Sequence, residues 1–132
     1  MKSIDKLAWI AIANKSILTA KTFGRDKYYI PGGKREFGET DEEALYREIM
    51  EELSVAIKCN TMNFIGVFQA QAHGHMAGVI VKMTCYMAEF QGQIKPASEI
   101  DEIKWLKYSD KDKVSEVDSL IFDYLKEMEL LD

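Results

Sequence analysis

Hydrophobic positions along the chain fall into strand-like runs separated by two stretches with helical spacing. The strand-like runs are rich in β-branched and aromatic residues and span residues 4–13, 16–20, 27–30, 55–59, 62–71, 79–90 and 100–106. Between them, Leu45, Ile49 and Leu53 recur every four residues, which predicts a helix with one apolar face. This order of elements predicts an α+β fold with helices packed on a mixed sheet.

A second helical pattern closes the chain. Ser115 is the predicted cap of this last helix, with Glu116 and Asp118 in its first turn. The residues predicted to form its apolar face are Val117, Leu120, Ile121, Tyr124, Leu125 and Met128.

Turn-forming residues bound several of the strands. Asn14 and Lys15 predict a turn that pairs residues 16–20 back on the preceding run as a hairpin. The sequence Pro31-Gly32-Gly33 predicts the end of the strand at 27–30, because proline cannot donate to a ladder. His73 and His75, with Gly78, predict a polar turn rather than a metal or phosphate site.

Residues 40–43 predict where the first helix begins. Thr40 followed three residues later by Glu43 is typical of a capping box, in which each side chain accepts a backbone N–H of the other residue. Asp41 and Glu42 lie in the first turn, where the helix dipole favours negative charge.

Carboxylates crowd one side of the same helix. Glu48, Glu51 and Glu52 lie at positions i, i+3 and i+4, which are neighbours on a helix surface. Like charges at this spacing cost roughly 0.2–0.5 kcal/mol per pair in an isolated helix. A hard divalent cation such as Mg²⁺ offsets that cost, whereas an ordinary solvated acidic face is the alternative interpretation.

Composition narrows the classes of function. The 132 residues predict one domain, and 47% hydrophobic residues are enough for a core. The net charge of −5 argues against a general nucleic-acid binder. Cys59 and Cys85 lack metal-site spacing and predict two buried thiols in a reducing cytoplasm. The sequence shows no signal-peptide pattern and no run of about 20 apolar residues, so neither export nor a membrane partner is expected.

The stretch from Gly33 to Val55 carries a longer pattern. Gly33 is followed after five residues by Glu39, and after seven more by Arg47-Glu48-Ile49, then Glu51-Glu52, Ser54 and Val55. This spacing closely resembles the Nudix box, and Ser54 alone departs from it, where the family has glycine. A residue just past a helix often adopts a left-handed conformation, which suits glycine better than serine. Ser54 is therefore expected to alter the stability of the fold before it alters the chemistry of the site.

The resemblance implies a single Nudix hydrolase domain over residues 1–132 with its box at 33–55. The implied fold is the Nudix α/β/α sandwich, a mixed sheet with the box helix on one side and a C-terminal helix. The implied reaction is hydrolysis of a pyrophosphate bond in a nucleoside diphosphate linked to another group, with Mg²⁺, or Mn²⁺ in its place, as cofactor. The implied partner is a small nucleotide; no stable nucleic-acid partner is expected, and a homodimer stays open.

Site residues are carried over by position. The resemblance makes Glu48, Glu51 and Glu52 the metal ligands, Glu39 an occasional or outer ligand, and Glu51 the residue that orients or deprotonates water. Arg47 is expected to hold the glutamates in place, with an ordinary surface ion pair to Glu43 as the alternative.

Further candidates lie outside the acidic helix face. Glu99, before the late strand, is the candidate for a further catalytic acid, with Glu102 as the alternative. The candidates for substrate binding are Gly32, Gly33, Lys34, Arg25 and Arg35.

Three functions are open on the sequence alone. Signatures of ADP-ribose, diadenosine polyphosphate and NADH hydrolases are missing after the box; for example, residues 56–95 contain no proline. By elimination, a MutT-like (deoxy)nucleoside triphosphate pyrophosphatase leads, with an oxidised purine nucleotide among the substrates considered. A catalytically weak Nudix domain that binds a nucleotide or protein is the alternative from another class. A purely structural α+β module would make the box spacing a coincidence.

Overall fold

The computed structural model describes residues 2–72 and 74–132. Its strands are β1 (Lys2–Trp9), β2 (Ile12–Ala13), β3 (Ser16–Thr22), β4 (Gly32–Lys34), β5 (Ala56–Ile57), β6 (Asn63–Gln71), β7 (Val79–Met87), β8 (Phe90–Gln91) and β9 (Ile100–Leu106). Its helices are α1 (Asp41–Leu53) and α2 (Glu116–Glu127). Short 3₁₀ turns cover Cys59–Thr61 and Tyr108–Lys113. No helix of the described residues combines the length and apolar character that crossing a membrane requires.

Two sheets form the centre of the fold. A four-stranded mixed sheet has the order β4-β1-β7-β6, with β1 and β7 parallel and the other pairs antiparallel. A three-stranded antiparallel sheet has the order β2-β3-β9, and β5 pairs with β8. These sheets and the two helices confirm the predicted α+β sandwich.

Alternation along β1 directs its side chains to two different cores. Leu7 and Trp9 belong to the core that includes the apolar stripe of α1, whereas Ala8, and Ile10 just after the strand, belong to the core that includes α2. Successive residues of a strand point to opposite faces, so one strand contributes to both cores. The sheets therefore lie between α1 and α2.

The predicted start and stripe of α1 are confirmed. The Thr40 side chain accepts the Glu43 N–H, and the Glu43 carboxylate accepts the Thr40 N–H, at 3.1 and 2.9 Å. Leu45, Ile49 and Leu53 are all fully buried. Ser54 ends the helix in a left-handed conformation with φ of 65°.

Several predicted strand boundaries were wrong. The run at 4–13 breaks after Trp9: β1 joins the mixed sheet, and only β2 pairs with β3. The run at 27–30 forms isolated bridges only, and the glycine turn forms β4 instead of ending a strand. The run at 79–90 is a strand to Met87, with β8 after it, and that at 55–59 shortens to β5.

The apolar face of α2 was also predicted partly wrongly. Leu120 and Met128 are exposed, and Phe122 is buried in their place. Ser115 does occupy the cap position, but its hydroxyl bonds to the Asp118 side chain rather than to a backbone N–H. Cys85 is buried as expected, whereas Cys59 is only half-buried.

Candidate active site

A cavity of about 550 Å³ opens beside the Gly32–Gly33 turn. Glu48 and Glu52 of α1 line it, and so does Asp118 in the first turn of α2. Two strands of the mixed sheet contribute Ile4, Lys6, Val81 and Met83 to its lining. The cavity therefore lies where both helices and the mixed sheet meet.

Glu52 is the most deeply placed carboxylate from α1 in this cavity. It is 5% exposed, and its Oε1 accepts the Gly32 N–H at 3.1 Å. Burial raises the pKa of Glu52 to about 8, and the charges of Glu48 and Glu99 act in the same direction. The Gly32 N–H and the Lys6 ammonium oppose this shift. A positive charge beside Glu52 would therefore stabilise its ionised form.

Glu48 reaches the cavity through space that a glycine leaves open. A Cβ on Gly33 would lie 2.2 Å from Glu48 Oε2, closer than any real contact. The Arg47 Nη1 donates to Glu48 Oε1 at 2.8 Å. Burial nevertheless raises the pKa of Glu48, with Arg47 opposing the shift. Gly33 thus leaves room for this orientation of the carboxylate and is not at a positive φ.

Arg47 holds several groups of the box together. Its Nε and Nη2 donate to the two carboxylate oxygens of Glu39 at 2.7 and 2.8 Å, a bidentate pair. Its Nη2 also donates to the Lys34 carbonyl at 3.1 Å. The hydrogen bonds from Arg47 and from the Glu36 N–H lower the pKa of Glu39 to about 2. Arg47 therefore contacts Glu39 and Glu48 and not Glu43, which is occupied by the capping box.

Glu51 lies outside the cavity lining. Its side chain is 56% exposed, and its nearest ion-pair partner is the Arg47 Nη1 at 3.7 Å. Glu39 likewise does not line the cavity. The structure thus brings Glu48, Glu52 and Glu99 to one cavity and leaves Glu39 and Glu51 beside it.

The donors present fit a hard divalent cation. Among the described residues, no three acidic, histidine or cysteine side chains are close enough to form a preformed metal cluster. Glu52 is nevertheless a buried carboxylate that forms no salt bridge among the described residues, and the Glu48 carboxylate lines the same cavity. Mg²⁺ prefers oxygen donors and keeps several waters, so it does not require a closed protein cage.

Basic side chains line the same cavity. They are Lys6, Arg25, Lys27, Lys34 and His75. Lys6 and Lys34 are direct partners in the β1–β4 register, so two ammonium groups start from the same face of the sheet. Arg35, by contrast, pairs with Asp5 and Asp41 and does not line the cavity. His73 lies outside the described residues.

Asp118, Lys6 and Tyr29 are cavity residues that the sequence analysis did not identify as site candidates. Asp118 Oδ1 is fully buried without a hydrogen-bond partner, the sole such side-chain atom within residues 2–72 and 74–132. The Ile30 N–H and Lys6 act on its carboxyl group from nearby, but burial dominates and raises its pKa to about 6. A signal was available, because Asp118 precedes Phe122 and Leu125 by four and seven residues and so lies on the apolar face.

The chain is similar in sequence to known proteins of one family. The family model described as NUDIX domain matches residues 7–124. The RNA pyrophosphohydrolase of Acinetobacter baylyi is 27% identical in an alignment of length 115, and the match covers 75% of this chain and 69% of that protein.

Solved structures show the same fold. The solution structure of the E. coli ORF135 protein is 23% identical with a TM-score of 0.77, covering 98% of this chain and 92% of that one. The MutT NUDIX hydrolase from Burkholderia pseudomallei is 19% identical with a TM-score of 0.75, covering 93% and 98%.

Proposed function

We propose that this chain, which belongs to the Nudix family, is a single-domain enzyme that hydrolyses a (deoxy)nucleoside triphosphate to the monophosphate and pyrophosphate. The observation that carries the proposal is the buried Glu52 beside Glu48 in a cavity that basic side chains also line. The fold and the family agree with the prediction from the box. The substrate and the identity of the cation are the parts that we propose.

The acidic side of the cavity would bind a divalent cation. Glu48 and Glu52 would hold it, and Glu99 lines the same cavity as a further acid. When bound, Mg²⁺ or Mn²⁺ would neutralise charge on the phosphoryl oxygens. Glu51, at the exposed edge of the same helix, is our candidate for orienting or deprotonating the attacking water. Water then forms a bond to one phosphorus of the anhydride, and the bond to the bridging oxygen breaks.

The basic side chains would bind the phosphates. Lys34 and Arg25 line the cavity together with Gly32 and Gly33, whose backbone approaches the carboxylates closely. The chain as a whole carries a charge of −5, which opposes the approach of an anionic substrate. Attraction must therefore come from the cation and from these local ammonium and guanidinium groups.

Asp118 is our candidate for contact with the base of a nucleotide substrate. Its unpartnered Oδ1 belongs to a group that lines the cavity, and an unpaired buried acceptor is costly unless a ligand supplies a donor. The N–H groups of a nucleobase are such donors. We expect Asp118 to contact the base while the phosphates lie near Glu48 and Glu52.

Release of phosphate and pyrophosphate from a nucleotide panel tests this function. The panel contains dNTPs, 8-oxo-dGTP, ADP-ribose, diadenosine polyphosphates, nucleotide sugars and, because of the Acinetobacter relative, RNA with a 5′-triphosphate. We expect turnover of triphosphates that requires Mg²⁺ or Mn²⁺ and is lost in Glu51→Gln and Glu52→Gln. Glu42→Gln, an exposed acid on the same helix, is the matched control and should retain activity.

A different result separates the alternatives. Absence of turnover on every compound, with the protein folded and the cation bound, would contradict the enzyme and favour a nucleotide-binding module. Turnover confined to another member of the panel would keep the reaction and replace the substrate.

A further inference from the structure

The hydroxyl groups of Thr22 and Tyr29 form a series of contacts with the Glu52 carboxylate. Thr22 Oγ1 donates to Tyr29 Oη at 3.2 Å, and Tyr29 Oη donates to Glu52 Oε2 at 3.5 Å. Thr22 and Tyr29 both line the cavity. The three side chains thus form a chain of hydroxyl contacts that ends on the buried carboxylate.

The directions of these two contacts agree with one proton on each hydroxyl. A tyrosine hydroxyl has one proton and accepts through its lone pairs. Because Thr22 supplies a proton to Tyr29 Oη, the phenolic proton is available for another acceptor. Glu52 Oε2 is the acceptor that the structure places within reach.

Backbone pairing fixes the position of Tyr29. Its N–H donates to the Ala20 carbonyl at 2.8 Å, and the Ala20 N–H donates to the Tyr29 carbonyl at 2.9 Å. Thr22 lies two residues further along β3, so both hydroxyls start from one paired piece of backbone. This framework does not involve α1, which carries Glu52.

The two carboxylate oxygens of Glu52 therefore accept from two different groups. Oε1 accepts the Gly32 N–H at 3.1 Å, and Oε2 faces Tyr29 Oη. A carboxylate oxygen has two lone-pair positions, so each oxygen retains one for a ligand in the cavity. Contacts to both oxygens restrict rotation of the carboxylate plane.

We propose that Tyr29, oriented by Thr22, is a positioning residue that holds Glu52 in the orientation needed to bind a divalent cation. This inference rests on the metal site of the proposed function. Groups that hydrogen-bond to metal ligands typically change metal affinity or activity by 10–100-fold when they are removed. A contact of 3.5 Å is long for an O–H···O bond, so the lower end of that range applies.

Binding of Mn²⁺ to the full chain without substrate tests the inference directly. Tyr29→Phe should weaken Mn²⁺ binding about tenfold, measured by calorimetry or by loss of the free-ion EPR signal. Thr22→Val should weaken it in the same direction and by less, because it removes only the group that orients Tyr29. Both variants should recover turnover as the Mn²⁺ concentration is raised, which a merely structural role would not produce.

Two reference variants make the result decisive. Tyr46→Phe removes an exposed hydroxyl from α1 and should bind Mn²⁺ as the wild type does. Glu52→Gln should abolish tight binding. If Glu52→Gln binds normally, the metal site itself is wrong, and the proposed function fails together with this inference. If Glu52→Gln loses Mn²⁺ while Tyr29→Phe and Thr22→Val retain it, only the positioning role is overturned.

Discussion

Asp118 makes the fold less stable in its ionised form, and the size of this effect can be worked out. The residue is 1% exposed, and its Oδ2 accepts from Ser115 Oγ at 2.8 Å, while Oδ1 has no hydrogen-bond partner within residues 2–72 and 74–132. Burial raises its pKa from 3.8 to about 6. A difference of about 2 pKa units corresponds to about 3 kcal/mol between the two protonation states.

The sign follows from proton binding in the two states. Between about pH 4 and 6 the native state retains a proton that the unfolded chain releases, so stability falls as pH rises through this window. Above the window the loss from Asp118 is complete. We therefore expect Asp118→Asn, which cannot ionise, to be about 1–3 kcal/mol more stable than the wild type at pH 7 and nearly equal to it at pH 4.

Urea unfolding at pH 4, 5, 6 and 7 measures this difference. Asp123→Asn is the matched control, because Asp123 lies on the same helix but its side chain is 45% exposed and accepts from Lys111 Nζ at 2.6 Å. Lys111 lowers the pKa of Asp123, so its contribution is present at neutral pH and is lost on acidification, the reverse of Asp118. The reasoning would be refuted by an Asp118→Asn effect that is independent of pH or destabilising at pH 7.

Three further predictions concern the box and its helix. Ser54→Gly should raise the free energy of urea unfolding by up to about 1 kcal/mol, because a φ of 65° suits glycine. A loss of stability would show that the hydrogen bond from Ser54 to the Lys95 carbonyl outweighs the backbone strain. Gly33→Ala should weaken Mn²⁺ binding with little change in Tm, because the Cβ of the alanine would displace the flexible end of the Glu48 side chain. Unchanged Mn²⁺ binding would argue against a ligand role for Glu48. Thr40→Ala should cost about 0.5–2 kcal/mol in urea unfolding through loss of the capping box, and a smaller cost would mean that water replaces the cap.

The parts of the fold that sequence predicted are those encoded locally. The bounds and cap of α1 follow from Thr40, Glu43 and a stripe of spacing four, all within one segment. The split of the first apolar run does not, because the partners of β1 lie far along the chain in β4 and β7. Strand pairing between distant segments leaves no signature in the local pattern, so the continuous run predicted one strand.

For the site too, the sequence predicted the residues of one local segment and missed those from distant segments. The box spacing identified Glu48 and Glu52 and the glycine turn, which all line the cavity. Asp118 and Tyr29 belong to segments outside the box, and only the packing of α2 and the Ala20–Tyr29 bridge places them at the cavity. The roles of all these residues stay predictions until binding and turnover are measured.

Helix geometry accounts for the different surroundings of neighbouring glutamates. Successive residues of an α-helix are about 100° apart, so residues 44, 48 and 52 form a row next to the buried row 45, 49 and 53. Ala44 is fully buried and Glu52 nearly so, whereas Glu51 lies one step further round and is exposed. The row of Glu48 and Glu52 also faces β4, which supplies the Gly32 N–H and the space above Gly33. Burial of α1 against the sheet thus sets both the stability of the helix and the orientation of its two inner carboxylates, so a core substitution at Ile49 should disturb cation binding as well as folding.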